Sequence, residues 1–180
     1  MKKKTMVELH RLTVEQSRVA SKLPVTLVLD DVRSEMNVGS IFRTADAMGI
    51  EHICLCGITP TPPRPEIHKT ALGAEDAVEW SRHASATDAI EMLREHGYTI
   101  CAVEQVHGSV SLERFDVADG RRYALVLGNE VKGVNQAAVD IADVCLELPQ
   151  RGVKHSLNVA CTAAIVMWHF ATRPIVTNEA

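Results

Sequence analysis

The chain has no apolar run long enough to cross a membrane. The longest, residues 157–170, carries His169 and falls short of the roughly twenty residues that a spanning helix needs. Its first residues, MKKKTMVELHRL, are basic without an apolar stretch behind them, so no secretory signal is expected. There is no internal repeat, low-complexity tract or linker, and no surplus of positive charge. The net charge of −4 excludes a blanket basic surface and leaves only local positive patches for a nucleic-acid partner. Five cysteines, at positions 54, 56, 101, 145 and 161, are odd in number, and four lie in apolar runs. The pair in HICLCGI would point to one face of a strand, with no second pair at zinc spacing. They read as reduced core thiols. No metal is expected, and the chain is expected in the cytoplasm.

The usual phosphate and nucleophile signatures are missing too. The glycines at 128 and 133 have Walker spacing, but Val134 and Asn135 stand where lysine and serine or threonine belong. No G-x-G-x-x-G follows the first strand, and no serine sits in a G-x-S-x-G elbow.

What is present is one domain's worth of alternating elements. At 180 residues and 46% apolar content the chain can build one full core. An amphipathic segment at about 5–22 precedes VTLVLDDV, a strand whose near-continuous branched residues imply burial on both faces. A helix follows, with Asn37 as its N-cap and Gly49 at its end. HICLCGI is a strand, and TPTPPRPEI is too rich in proline for either element, so a surface loop is expected. Thr87 and Asp88 cap AIEMLREHG, and YTICAVE is another strand. Strands at 123–127 and 144–148 flank a short helix at 135–141, and a helix opening at Ser156 ends the chain. This alternation predicts an α/β fold with a mainly parallel sheet and helices on both faces.

Function is read from the ends of the last two strands. The run YALVLGNEVKGV stops at glycine and exposes a carboxylate where open α/β sheets collect ligands. The second strand ends in Leu148-Pro149-Gln150-Arg151-Gly152, and Ser156 and Asn158 open the final helix. Structural readings stand beside the functional ones. Asn37, Ser156 and Asn158 also suit helix caps, Arg43 also suits a snorkelling surface position, and Glu130 also suits the close of a turn. Trp168, with Ile165, Val166 and Phe170, suits the core or a dimer interface.

Three blocks in this order resemble the SpoU branch of the SPOUT RNA 2′-O-ribose methyltransferases, close to its TrmH-like members. They are NVGSIFRTADAMGI (37–50), ALVLGNEVKGV (124–134) and LPQRGVKHSLNVACTAAIVMW (148–168), supported by KTALGA (69–74) and GYTICAVEQ (97–105). Cys161 and Thr162 depart from the small residues common after the SLNV block.

The resemblance implies a domain at 23–180 with a C-terminal deep trefoil knot, a helical extension at 1–22, and a homodimer. It implies S-adenosylmethionine as cofactor and methylation of an RNA ribose 2′-hydroxyl. The target it points to is transfer RNA. Ribosomal RNA, or a non-catalytic knotted RNA-binding or assembly factor, are the alternatives. It assigns chemistry to Arg43, Asn37, Glu130, Ser156 and Asn158. The cofactor would lie on Val103, Glu104, Leu127, Gly128, Asn129, Glu130, Gly133, Leu148, Pro149, Gln150, Gly152, Ser156, Leu157 and Val159. Small residues suit this role because they allow backbone groups to approach a ligand closely. RNA would meet Arg43, Lys69, Arg151 and Lys154, with Lys2, Lys3, Lys4, Arg11, Arg18, Arg33, Arg64 and His155 as further candidates.

Overall fold

A computed structural model of the protein describes residues 1–5, 8, 12–154 and 156–173; Arg11, His155 and part of the amphipathic N-terminal segment lie outside them. Every strand pairing is parallel. In chain order the elements are α1 (Val14–Val19), β1 (Leu23–Asp30), α2 (Glu35–Met48), β2 (Ile50–Cys56), α3 (Pro65–Ala71) and β3 (Glu79–His83). They continue with α4 (Ala86–Glu95), β4 (Tyr98–Val103), β5 (Val110–Ser111), β6 (Arg122–Leu127), α5 (Gln136–Asp140), β7 (Val144–Glu147) and α6 (Val159–Thr172). The sheet order is β3-β2-β1-β6-β4-β7-β5. After building outward through β2 and β3, the chain crosses over to lay down β4 and β5. It then returns to insert β6 between β1 and β4. That reversal beside β1 is the kind of switch point at which α/β sheets open a crevice at their carboxyl ends.

Alternation along the strands divides the core between the two faces. Leu27 and Leu29 of β1, with Leu125 and Leu127 of β6, pack with Phe42 of α2, Ile67 of α3 and Phe170 of α6. Val28, Cys54, Cys56, Ala124 and Val126 point the other way, into the α4 and α5 layer around Ile90 and Ala138. Central strands buried on both faces are what a near-continuous apolar run requires.

Several expectations need correction. The first motif helix is capped by Ser34, whose hydroxyl accepts the Asn37 N–H at 3.2 Å, so Asn37 lies inside the helix with its side chain released. Likewise Ser85, not Thr87 or Asp88, caps α4. The last helix begins at Val159 with Asn158 as its cap, two residues beyond Ser156. The proline-rich stretch is a loop only as far as Arg64, because Pro65 occupies the first turn of α3, where its missing N–H costs nothing. Gly49 does end α2, in the left-handed conformation. The edge strand β3, EWSRH, went unread because it lacks apolar alternation.

Candidate active site

Strands β1, β6, β4 and β7 end together, with Leu29 paired to Leu127, Ala102 to Val126 and Val103 to Leu146. Beyond Leu127 the chain turns tightly. Asn129 and Gly133 exchange two backbone hydrogen bonds of 2.9 Å, and the Asn129 Oδ1 accepts the N–H groups of Val131 and Lys132 at 2.9 and 3.1 Å. A Cβ at Gly128 would overlap the backbone of Gly133 and Val134, and one at Gly133 would overlap the Glu104 carboxylate. These two glycines are therefore required by the turn itself, before any ligand arrives. The turn thus gives them a structural reason that stands beside the expected one of admitting a cofactor.

Two carboxylates clamp the turn, one from each neighbour of β6. Glu104, just past β4, accepts the Val134 N–H at 2.8 Å, and Asp30, at the end of β1, accepts the Asn135 N–H at 2.7 Å. Burial pushes the Asp30 carboxyl above its ordinary value; the Asn135 N–H opposes this and the adjacent Asp31 adds to it. The Asn129 amide completes the anchoring by donating to the Asp31 carbonyl at 2.8 Å.

The three motif blocks meet through one hydrogen-bonded chain. Asn158 Nδ2 donates to Asn37 Oδ1 at 3.1 Å, and Asn37 Nδ2 donates to Glu130 Oε1 at 2.9 Å. The Glu130 carboxylate also accepts the N–H groups of Arg33 and Ser34, each at 3.0 Å, and so holds the entry to α2. Burial raises the Glu130 carboxyl, but the Arg33 N–H, the Asn37 amide and the Ser34 N–H outweigh it and hold the group below the usual carboxylate range.

Beside this chain opens a cavity of about 250 Å³. From the expected cofactor set it is lined by Val103 and Glu104 after β4, by Leu127, Gly128, Asn129, Glu130 and Gly133 in the turn, and by Leu148, Gln150, Ser156, Leu157 and Val159 beyond β7. Pro149 and Gly152 lie outside that lining. Glu147 and Lys132 line it without having been expected, and Asp30 was missed as a clamp. The signal for Asp30 was the one that exposed Glu130, an acidic residue ending an apolar strand.

Arg43 is exposed on α2, six residues beyond Asn37, and outside the lining. Among the described residues nothing holds its guanidinium. Arg151 and Lys154 are exposed past β7, and exposed Lys69 lies 3.5 Å from Glu66. No group of three or more His, Cys, Asp or Glu side chains among the described residues is placed to hold a metal, and no described helix is long and apolar enough to cross a membrane.

The lining suits a ligand that is cationic at one end and flat and apolar at the other. Glu104, Glu130 and Glu147 face it with Lys132 as the cation, while Leu127, Leu148, Leu157 and Val159 give it an apolar wall. S-Adenosylmethionine, with its ammonium, sulfonium and adenine, fits that set.

Comparison with known proteins agrees with the geometry. Residues 24–168 match the model of the SpoU rRNA Methylase family. A putative TrmH family tRNA/rRNA methyltransferase of Staphylococcus saprophyticus is 27% identical over 93% of this chain and 66% of its own length. A tRNA (guanosine(18)-2′-O)-methyltransferase of Thermus thermophilus is 27% identical over 89% of this chain and 81% of its own. The AdoMet-bound rRNA methyltransferase from Sinorhizobium meliloti superposes with a TM-score of 0.76 at 30% identity, over 83% of this chain and 59% of that one. The chain thus spans less than two thirds of the staphylococcal and Sinorhizobium proteins. With the family model covering most of its length and the three motif blocks joined at one strand edge, the chain belongs to the SpoU rRNA Methylase family.

Proposed function

We propose that this chain is an S-adenosylmethionine-dependent RNA methyltransferase that modifies a ribose 2′-hydroxyl, with transfer RNA as its substrate. The carrying observation is the Glu130–Asn37–Asn158 chain, which ties together segments 93 and 121 residues apart at the rim of the cavity. Such placement of polar groups is costly in a fold that needs them only as caps. The T. thermophilus relative is named for transfer RNA, and the Sinorhizobium neighbour is described with AdoMet bound.

When bound, the cofactor supplies an activated methyl on a sulfonium, so no metal is needed. The protein's own groups then divide the work. Glu130, held ionised by three donors, is a weak base, and its part is to fix the start of α2 and the Asn37 amide. Asn37 and Ser156 present polar groups where the ribose would lie. Arg43 stands about 9 Å along α2 from Asn37 at 1.5 Å per residue, and it stays charged at any working pH. It therefore binds phosphate or stabilises the developing alkoxide and does not serve as the base.

The same reading places a knot in the chain's return from β7. Support for it comes from Leu146 pairing on the far side of β4 from β6 while Asn158 reaches Asn37 on α2. It takes residues 1–22 as a helical extension and 23–180 as the methyltransferase domain. It also takes the exposed α6 stripe of Cys161, Ile165, Trp168 and Thr172 as the homodimer contact. Trp168 at 60% and Ile165 at 45% exposure support this. An RNA substrate and five free thiols support a cytoplasmic place of action.

The test is incubation of the protein with radiolabelled S-adenosylmethionine and fractionated cellular RNA, followed by nucleoside analysis. Label recovered as a 2′-O-methylnucleoside in transfer RNA is the expected result. Label in ribosomal RNA would move the target, and cofactor binding without transfer to any RNA would replace the enzyme with a binding factor.

A further inference from the structure

A second cavity, of about 700 Å³, shares Asn129, Val131, Lys132 and Gly133 with the first as a common wall. Two exposed cations line it, Arg33 and Lys132, and among the described residues no acceptor binds either head. Both are displayed from fixed backbone. The Arg33 N–H donates to the Glu130 carboxylate at 3.0 Å, and the Lys132 N–H donates to Asn129 Oδ1 at 3.1 Å. The turn that shapes the first cavity therefore also sets where these two charges emerge.

The other polar groups of this cavity are mixed. Asn135 turns its Oδ1 to cap α5, accepting the Ala137 N–H at 3.1 Å, which leaves its Nδ2 as an uncharged donor. Asp30 is only 5% exposed and gives Oδ2 to the Asn135 N–H at 2.7 Å, so its charge belongs to the clamp beneath the turn. Asp31 is half-buried and uses Oδ1 to accept the Ile58 N–H at 2.9 Å. Its Oδ2 has no protein donor among the described residues. The cavity thus offers two unpaired cations and an amide donor to an anion, and one charged acceptor to a hydroxyl. A ribose–phosphate backbone carries both, a phosphodiester anion and, in RNA but not in DNA, a 2′-hydroxyl that can donate.

We propose that this second cavity is a backbone subsite for the RNA strand next to the modified nucleotide. Arg33, Lys132 and the Asn135 amide hold a phosphodiester there, and Asp31 accepts the 2′-hydroxyl of a neighbouring ribose, distinct from the one that is methylated. The inference rests on the methyltransferase reading for the identity of the adjoining cavity. None of these contacts touches a base, so the subsite fixes the path of the strand whatever its sequence.

The experiment is a fluorescence-anisotropy titration of the full chain with an unmodified transfer RNA and with its all-deoxy counterpart, over a range of salt. S-Adenosylmethionine affinity is measured by calorimetry on the same proteins. Arg33→Ala and Lys132→Ala should each weaken RNA binding about tenfold at low salt and flatten the slope of log affinity against log salt by about one. Arg33→Ala keeps the N–H that meets Glu130 and should bind S-adenosylmethionine as wild type does. Arg121→Ala, which removes an exposed cation at the opposite end of β6, should change neither RNA affinity nor slope. Asp31→Asn should cut the preference for RNA over its deoxy counterpart by about tenfold. Asparagine tolerates the left-handed backbone at this position, φ 54°, and can keep the Ile58 bond. Unchanged affinity and slope in Arg33→Ala or Lys132→Ala, an equal loss in Arg121→Ala, or an unchanged RNA preference in Asp31→Asn would overturn the inference while cofactor binding stood. Failure of the wild type to bind S-adenosylmethionine, with the RNA effects intact, would instead overturn the methyltransferase reading.

Discussion

The two walls of the first cavity are built on opposite plans. The turn at 128–134 is tied by its own backbone, by the Asn129 side chain, and by Glu104 and Asp30 reaching in from flanking strands. The facing residues, 148–154 and 156–157, are for the most part exposed. Exposed backbone with few contacts opens at low free-energy cost, whereas a turn clamped from both sides opens only with its strands. One wall is held in place by bonds of its own, and the other is exposed. A change in the first wall should therefore destroy the site, and a change in the second should adjust it.

The largest effect is expected at Gly128. In Gly128→Ala the new Cβ has backbone on its far side, so nothing can yield cheaply and the turn cannot close. S-Adenosylmethionine affinity should fall by about a hundredfold, with methyl transfer lost alongside, at the upper end of the roughly 1–3 kcal/mol that overpacking typically costs. Calorimetry showing unchanged affinity would mean that the wall is not preformed.

Arg43 is the position at which binding and chemistry can be tested apart. It lies outside the cavity lining, so Arg43→Ala should leave cofactor affinity within about twofold. Turnover should fall by about a hundredfold, the scale of losing one charge-stabilising group. A variant with normal turnover would remove Arg43 from the reaction.

A smaller loss tests the clamp. Glu104→Ala leaves the N–H of buried Val134 without its acceptor, a cost of about 1–3 kcal/mol, so cofactor affinity should drop by about tenfold. Glu104→Gln keeps an oxygen in reach and should recover most of it. If both variants bound equally weakly, the carboxylate would be acting on the ligand and not on the turn.

How far the site was legible in the sequence follows the same division. Strands β1 and β6 were readable because continuous apolar residues announce burial on both faces, and α2 because Gly49 punctuates it. The caps were misread by two or three residues. Ser34, Ser85 and Asn158 each compete locally with other polar residues, and only the tertiary bonds of Asn37 and Glu130 decide which side chain is released. The motif residues were visible singly, but their hydrogen-bonded chain was not, since it joins segments far apart in sequence. Asp30 is visible as an acid ending an apolar strand, but its role as a clamp is not, because its partner is Asn135, 105 residues on.

Acid should expose the Glu130 contribution. Its carboxyl is held below the ordinary range, so the stability it supplies is present above that range, about 4.3 for glutamate, and is lost as pH falls through the lowered value. Wild type should have a higher Tm than Glu130→Gln near neutrality, and the gap should close on acidification. A gap independent of pH would show that the bonds to Arg33, Ser34 and Asn37 do not depend on the charge.

The smallest effect belongs to Gly152, the counterpart of Gly128 in the loose wall. No atom lies within 4 Å of a Cβ built there, and its backbone is not among the positive-φ glycines, so alanine is accommodated without strain. Gly152→Ala should change cofactor affinity by no more than about twofold and leave Tm unmoved, as for surface substitutions generally. The same methyl group is thus ruinous at one wall and harmless at the other. A tenfold loss at Gly152 with unchanged Tm would sharpen the contrast, because only a bound ligand or RNA could occupy the open space beside that glycine. The second wall would then close onto its ligand through backbone at 152, and the glycine would be needed for the complex as Gly128 is needed for the free protein.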